Sequence, residues 1–363
     1  MVNDTKFMQR ALSLAKKGQG QVHPNPLVGA VIVRNGQIIG EGAHWKLGLA
    51  HAEINALESV PSSPEQATMY VNLEPCTYHG RTPPCVPAII QSGVTRVVIG
   101  ITDPNPRVNG KGVRQLRDAG IDVEVGVLEA ECRELNRGFI HRMEAGVPWV
   151  TLKLALTIDG FIADTTGESR WITGPESREQ VHVWRSEHNA VLVGANTVVA
   201  DDPQLTVRKV DGKNPVRVIV DSGQTVPADA QVLNSPLETE TILFTANAKT
   251  DGELFQKPGV HLVSLEQDDQ GMFQWEDILE NLAEEHGILS VFAEGGAGVA
   301  SSLIASGFVN ELVTMIAPKI IGRGLSPFSN LHLPLADSQL WRIFHTGRLG
   351  NDSYVRYRRE KER

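Results

Sequence analysis

The sequence predicts an α/β protein of two domains, each built on a mainly parallel sheet with helices on both faces. Three observations predict it. Short apolar runs alternate with amphipathic helical segments along most of the chain. A length of 363 residues, at roughly 100–200 per domain, suggests two domains. The stretch AGVPW at 145–149 interrupts the alternation, because Gly146 and Pro148 stop one helical segment before a new apolar strand starts. The domains are therefore placed at 1–146 and 147–363.

In the first domain, residues 4–17 read as a helix, with Phe7, Ala11, Leu14 and Ala15 at helical spacing. LVGAVIVRNGQIIGEG reads as two strands around Asn35-Gly36, a strong hairpin signal. HAEINALESV is a helix, ATMYVNL a buried strand, CVPAIIQSG a helix closed by Gly93, and TRVVIGI a strand. GVRQLRDAGI is a helix, DVEVGVL a strand and EAECRELNRGFIHRM one helix. In the second domain come the strand VTLKLALT, a helix near 175–188, the strands AVLVGA, VRVIV and TILFTA, and a helix near 275–286. ILSVFAEGG is a strand, VASSLIASG a helix, ELVTMIAP a strand and SYVRYRR the last strand. The segments 223–240 and 264–274 are polar and read as variable surface loops.

Composition narrows the function. Hydrophobic residues make up 41% and the formal net charge is −9, which does not favour nucleic acid as a partner. A phosphorylated small molecule remains open, since a few local arginines suffice to hold it. No apolar run of 18 residues suggests a membrane span, and MVNDTKFMQRALSLAKKG reads as an amphipathic helix with no signal-peptide pattern. Three cysteines, Cys76, Cys85 and Cys132, argue against a disulfide framework and for a reducing cytoplasm. Cys132 reads as a plain thiol in a helix.

His51, Cys76 and Cys85 offer one imidazole and two thiolates, a donor set suited to a catalytic zinc with one position left open. His51 is placed in the first turn of a helix with Glu53 two positions on, Cys76 just after a strand, and Cys85 at the start of the next helix. Singly, an H-x-E or two cysteines eight residues apart is also met in ordinary helices and cores. Together they match the H-x-E…P-C…C signature of zinc deaminases, in which the glutamate is no ligand and shuttles protons. Zinc would acidify its water toward a pKa of about 7.

HPNPLVGAVIV, HAEINAL, LEPCTYHGRTPPC and DPNPRVNGKG resemble the deaminase domain of the bifunctional riboflavin-biosynthesis deaminase/reductase family. The eight residues between the cysteines, TYHGRTPP, depart from the general two-residue spacing and are typical of that family. The resemblance implies a cytidine-deaminase-like three-layer domain. It implies Zn2+ on His51, Cys76 and Cys85, Glu53 as the proton shuttle, and Asn25, His44, His79, Arg81, Asp103 and Asn105 around the substrate. Asn and Asp beside proline are also common turn residues, and Arg81 also reads as a solvated loop arginine.

KLALTIDGFIAD, GESRWITGPESR, VHVWRSEHNAVLVGANTVVADDPQLTVR and PVRVIVDSG resemble the reductase domain of the same family, which has a dihydrofolate-reductase-like fold. EGGAGVASSL adds a glycine turn into a helix, suited to an anion but equally to a plain tight turn. The resemblance implies NADPH beside Ala155, Trp171, Thr197, Asp201, Ser222, Gly296, Ala297, Gly298, Val299, Ala300, Ser301 and Ser302. It places the substrate against Ser169, Arg185, Leu205, Arg208 and Glu294, with Lys153 and Asp201 as the polar groups near the reacting carbon. Lys153 lies in an apolar strand, where an unpaired charge is costly. The simpler alternatives are a solvated helix face for Arg185, a core position for Trp171, and a turn or cap for Asp201-Asp202-Pro203.

The resemblance thus implies a two-step enzyme acting on small phosphorylated pyrimidines, without nucleic acid or membrane, as a homo-oligomer. Three competing readings are a deaminase with a degenerate reductase domain, a nucleic-acid base deaminase, and a binding protein with structural zinc. The acidic balance counts against the second, and the presence of only three evident ligands against the third.

Overall fold

The turn at Asn35-Gly36 sets the edge of the first sheet. Both residues adopt positive φ, 52° and 75°, as a two-residue hairpin turn requires. The turn joins β1 (Gly29–Arg34) to β2 (Gln37–Ala43). The computed structural model describes residues 4–234, 239–246, 257–331, 334 and 338–359. The chain divides into two compact units, Met1–Gly146 and Val147–Arg363.

Unit 1 continues with β3 (Thr68–Leu73), β4 (Arg96–Ile101) and β5 (Asp122–Val125), in the order β2-β1-β3-β4-β5. The β1 pairings are antiparallel and only β3-β4-β5 is parallel, so this sheet is more mixed than the sequence suggests. The helices are α1 (Asp4–Ala15), α2 (Ala52–Glu58), α3 (Cys85–Gln91), α4 (Lys111–Asp118), α5 (Glu129–Leu135) and α6 (Arg137–Ala145). One sheet face packs Ile32, Met69, Val71, Val97 and Ile99 against α2, α3 and α4 through Ala52, Ala56, Val86, Ile89 and Leu116. Full burial of such side chains contributes about 1.5–3 kcal/mol each. Gly42 allows a close approach: a Cβ there would lie 2.3 Å from the Ala56 amide nitrogen, so α2 lies directly on β2.

The expected helix over EAECRELNRGFIHRM is two helices, broken at Asn136. Its side chain bonds both backbone groups of Leu27, accepting at 2.8 Å and donating at 3.0 Å. The expected helix over 4–17 ends at Ala15 and passes into a 3-10 turn, Lys16–Gly18.

Among its described residues unit 2 has nine strands: β6 (Trp149–Thr157), β7 (Ala190–Gly194), β8 (Val216–Asp221), β9 (Thr241–Thr245), β10 (Val260–Ser264), β11 (Ser290–Ala293), β12 (Val309–Ala317), β13 (Trp341–Leu349) and β14 (Asp352–Arg359). Their order is β10-β9-β8-β7-β11-β6-β12-β14-β13, parallel through β12 and antiparallel for the last two. The helices are α7 (Pro175–Glu187), α8 (Ala195–Asp201), α9 (Gln231–Asn234), α10 (Trp275–Glu284) and α11 (Ala297–Ser306). Alternation along β7 splits the core. Ala190 and Leu192 pack with α10 and α11, while Val191 and Val193 pack with α7, α8 and α9. The strands β10 and β13 and the helix α8 are not among the expected elements. The helix α9 lies within the expected loop 223–240, of which 235–238 fall outside the described residues. Among the described residues, no helix is long and apolar enough to cross a membrane.

The first turn of α1 is tied to the sheet by Asp4. It accepts hydrogen bonds from the Tyr70 hydroxyl at 2.6 Å and from Arg96 at 3.0 and 3.2 Å. The Arg96 bond is the main cause holding the Asp4 carboxyl below its ordinary value, against the opposing effect of burial. Asp4→Asn should cost about 1–3 kcal/mol at neutral pH. Because the folded-state pKa is depressed, the bond contributes fully above the ordinary aspartate value and is lost as pH falls through the folded one. Urea unfolding should therefore show the gap between wild type and variant closing on acidification below about pH 4.

Candidate metal centre and reductase site

The donor atoms of His51, Cys76 and Cys85 lie within 4.8 Å of one another. Three elements deliver them. His51 is the N-cap residue of α2, one position earlier than expected. Cys76 follows β3 after Glu74-Pro75, and Cys85 is the first residue of α3. The Nδ1 of His51 stands 3.5 Å from the Cys76 sulfur and 3.3 Å from that of Cys85. Zn–S bonds of about 2.3 Å and Zn–N bonds of about 2.0–2.1 Å, set tetrahedrally, require ligand separations of about 3.6–3.8 Å. The three atoms therefore fit a zinc ion. Among the described residues no fourth His, Cys, Asp or Glu joins the group. The Cys85 hydrogen bond first, and then His51, pull the Cys76 thiol down against burial, while the same bond and burial push the Cys85 thiol up, so the two sulfurs share one proton between them.

Glu53, one residue into α2, is 3% exposed. Burial, reinforced by the Cys76 charge, pushes its carboxyl up to about 7, and it bonds to Cys85. A carboxyl poised there can both take and return a proton at neutral pH.

Around this centre, His44 is buried with its ring 5.2 Å from that of His51. Its Nδ1 faces the Ala50 carbonyl at 3.2 Å and its Nε2 the Asn25 amide at 3.1 Å. This network assigns a neutral imidazole with its proton on Nδ1, in keeping with burial, which lowers its pKa. Asp103 is buried, accepts the Asn105 amide at 2.8 Å, and is pushed up to about 6 chiefly by burial. Asn105 in turn accepts the Arg107 amide at 3.0 Å, so both residues have the turn role as well. His79 and Arg81 are exposed on the loop between the cysteines.

Two residues that pattern alone did not single out shape this site. The buried carboxylate of Glu74 accepts the amides of Asp103 at 3.0 Å, Gly110 at 2.9 Å and Val113 at 3.1 Å. The Thr82 hydroxyl stands 3.1 Å from Nε2 of His51. Both lie inside the quoted motif LEPCTYHGRTPPC, but only tertiary contacts give them a role. Cys132 is buried under β4, where a Cβ on Gly100 would meet its sulfur at 2.3 Å, so it is a packing residue.

In unit 2 the polar candidates gather at the carboxyl end of β11. Glu294 binds Arg185 of α7 through two bonds, 2.5 and 3.0 Å. Arg185 is buried and also donates to the Thr206 carbonyl at 3.1 Å, so it is not on a solvated face. Burial acts to raise the Glu294 carboxyl, but Arg185, Lys153 and His182 hold it below the ordinary value. Lys153 of β6 is lowered by burial, against the pull of Glu294. Arg208 is exposed and bonds Gln204 at 2.9 Å. His182, which pattern also did not single out, is buried and faces Arg185, Arg208 and Glu294.

Other expected contacts divide. Asp201, the last residue of α8, is ion-paired with Arg170 at 3.3 Å, whereas Lys153 sits with Glu294 and Arg185. Leu205 has φ 55° and its side chain is packed in the core, so a ligand could meet it only through the backbone. Trp171 is 61% exposed and stacks under Arg178 at 4.6 Å, which excludes a core position. With Ser169 and Lys319 it lines a cavity of about 180 Å3. Ala155 and Thr197 are half-buried, on β6 and α8, and the Ser222 carbonyl accepts a bond from Gln267 at 2.9 Å.

The glycine turn before α11 is tight, since a Cβ on Gly295 would lie 2.5 Å from Val299. Ala300 is buried in the core and Ser301 bonds the Pro327 carbonyl at 3.2 Å, while the Ser302 hydroxyl is turned back to the Gly298 carbonyl at 2.9 Å. Those three side chains are thus spent on packing and local bonds. Gly296 to Val299 reach the surface at the N-terminus of a ten-residue helix, a fit for a pyrophosphate.

Comparison with known proteins gives the context. Residues 1–101 match the cytidine and deoxycytidylate deaminase zinc-binding region, and residues 148–353 match the RibD C-terminal domain. The riboflavin biosynthesis protein RibD of Aquifex aeolicus is 48% identical over 324 residues, 89% of either chain. That of Escherichia coli is 38% identical, over 97% of this chain and 98% of its own. The crystal structure of a diaminohydroxyphosphoribosylaminopyrimidine deaminase/5-amino-6-(5-phosphoribosylamino)uracil reductase from Thermotoga maritima is 40% identical. It covers 98% of each chain at a TM-score of 0.89. With both halves matched and near full-length relatives at this identity, the chain belongs to the RibD family of bifunctional deaminase/reductases of riboflavin biosynthesis.

Proposed function

We propose that Met1–Gly146 deaminates 2,5-diamino-6-ribosylamino-4(3H)-pyrimidinone 5′-phosphate. Val147–Arg363 then reduces the ribosyl group of the product to ribityl, giving 5-amino-6-ribitylamino-uracil 5′-phosphate. The observation that carries the first step is the convergence of one imidazole nitrogen and two sulfurs beside the buried carboxyl of Glu53. Zn2+ at those three atoms supplies Lewis-acid activation of water, acidifying it toward a pKa of about 7.

Glu53 would take one water proton and pass it to the ring nitrogen, then take the remaining hydroxyl proton and pass it to the amine, so that the C–N bond breaks, ammonia leaves and the ring carbon keeps the oxygen as a carbonyl. The neutral His44–Asn25 pair and the Asp103–Asn105 turn line the pyrimidine. His79 and Arg81, exposed on the loop, are free to meet the phosphate. Burial of Glu53 keeps bulk water from short-circuiting these transfers.

For the second step NADPH supplies the hydride for C1′ of the sugar. The turn at Gly296–Val299 would hold the cofactor's pyrophosphate, and Ser169 and Trp171 line the cavity with Lys319. Opening the C1′–O bond leaves an iminium and a sugar alkoxide, so hydride on C1′ neutralises the first and the sugar oxygen takes one proton. Lys153 can deliver it, because burial has lowered its hold on that proton. Arg185 is committed to Glu294, which leaves Arg208 as the exposed fork for the substrate phosphate. Asp201, tied to Arg170, orders the end of α8, the helix whose Thr197 faces Gly296. The homo-oligomer implied by the family has support in the free edge strand β13, where Ile343 is 57% exposed; sedimentation velocity tests it.

Two measurements on the purified full-length protein check these roles. Glu53→Gln, or removal of zinc by a chelator, should lower ammonia release about 100–10,000-fold and leave NADPH oxidation with the deaminated substrate unchanged. Lys153→Met should do the reverse, lowering NADPH oxidation about 100-fold or more with ammonia release intact, and Asp201→Asn should weaken only the oxidation. Ammonia release surviving in Glu53→Gln would remove the proton-shuttle role.

A further inference from the structure

We infer that Thr82 is a positioning residue for the metal centre: its hydroxyl oxygen accepts a hydrogen bond from Nε2–H of His51 and fixes the ring with Nδ1 turned to the two sulfurs. The inference rests on the reading of His51, Cys76 and Cys85 as zinc ligands. A neutral imidazole carries one proton. If that proton sat on Nδ1, no lone pair would face Cys76 and Cys85, which stand 3.5 and 3.3 Å from that nitrogen. The Thr82 oxygen, 3.1 Å from Nε2, gives the proton a partner on the opposite edge of the ring. A hydrogen bond there selects the tautomer, holds the ring angle and makes Nδ1 more basic toward a metal.

The same contact supplies a reason for the long spacer between the cysteines. A two-residue link would join the sulfurs directly and could not also reach the far edge of His51. The eight-residue link TYHGRTPP leaves Cys76 and comes back past Nε2 before it arrives at Cys85. It is closed at both ends, by the Cys85 amide on the Cys76 sulfur and the Val86 amide on the Cys76 carbonyl, each at 3.3 Å. Thr82 is itself held, since its carbonyl accepts the Gly80 amide at 3.1 Å. Pro83 and Pro84 then limit the backbone between Thr82 and Cys85, so the hydroxyl and the sulfur keep a fixed offset. His44 packs edge-on against the His51 ring at 5.2 Å, so the imidazole is braced by a second contact.

The test is the zinc dissociation constant of the full-length protein, read by competition with a chromogenic chelator, with far-UV circular dichroism to confirm folding. Thr82→Val keeps the shape and removes the hydroxyl, and it should weaken zinc binding about 10–100-fold. Thr82→Ser should hold zinc close to wild type, and Thr82→Ala repeats the loss if valine crowds the loop. The inference is overturned if Thr82→Val and Thr82→Ala bind zinc as tightly as wild type, or if serine is no better than valine. It is equally overturned if only the KM for ammonia release rises, which would assign the hydroxyl to substrate. A different failure marks the underlying reading: His51→Ala retaining one tightly bound zinc per chain would remove the metal centre itself.

Discussion

The three hydrogen bonds on the Glu74 carboxylate are the interaction on which the first site depends. Glu74 leaves the carboxyl end of β3 one residue before Pro75-Cys76, and it collects the amides of Asp103, Gly110 and Val113. One buried charge thereby ties the metal-bearing loop to the loop after β4 and to the start of α4. A carboxylate with three such donors is satisfied without a cation, whereas leaving it unpaired in the same place would cost several kcal/mol. Parallel pairing of β3 and β4 makes the arrangement available, because each strand must return through a helix and the connecting loops collect at one edge.

Unit 2 solves a related problem with the opposite chemistry. Glu294 also follows the last residue of a central strand, but its partner is the guanidinium of Arg185. The pair is nearly closed to solvent, and with Lys153, His182 and Arg208 close by, the locality is basic in a chain whose net charge is −9. Whole-chain charge speaks against a polyanion partner, while the local field suits a single phosphate. Removing one member of such a pair strands the other, so Arg185 holds the site's shape as much as it offers charge.

Much of this was legible in the sequence, for reasons that differ by residue. The meeting of His51, Cys76 and Cys85 was readable because such donor sets are rare and their motifs are local. The hairpin at Asn35-Gly36 was readable because few residues accept positive φ in succession. The break at Asn136 was not, because its cause is a side chain reaching Leu27, over a hundred positions away. The edge strand β13 alternates poorly, since partners on one side only and broad exposure leave it no apolar face to announce. Glu74, Thr82 and His182 are ordinary polar residues until tertiary contacts give them neighbours. Arg185 was read as a possible solvated face because its helix turns polar residues both outward and toward a buried carboxylate, and spacing alone cannot separate the two.

The loop between the cysteines shows how the two kinds of information meet. Lengthening a spacer from two to eight residues is two doublings, and the added closure entropy is only about 1.2 kcal/mol. The bonds closing the loop on Cys76, together with two prolines that restrict the unfolded chain, are of a size to offset it. What the longer loop gains is a division of labour along its length. Its inner end, Thr82 to Cys85, lies against His51 and has almost no freedom. Its outer end, with His79 and Arg81, stays in solvent where a charged substrate group can be met before the ring is buried. A two-residue spacer has room for neither the contact on the far edge of His51 nor the exposed arm. The longer spacing thus lets one connection both brace the His51 ring and present exposed polar side chains to solvent.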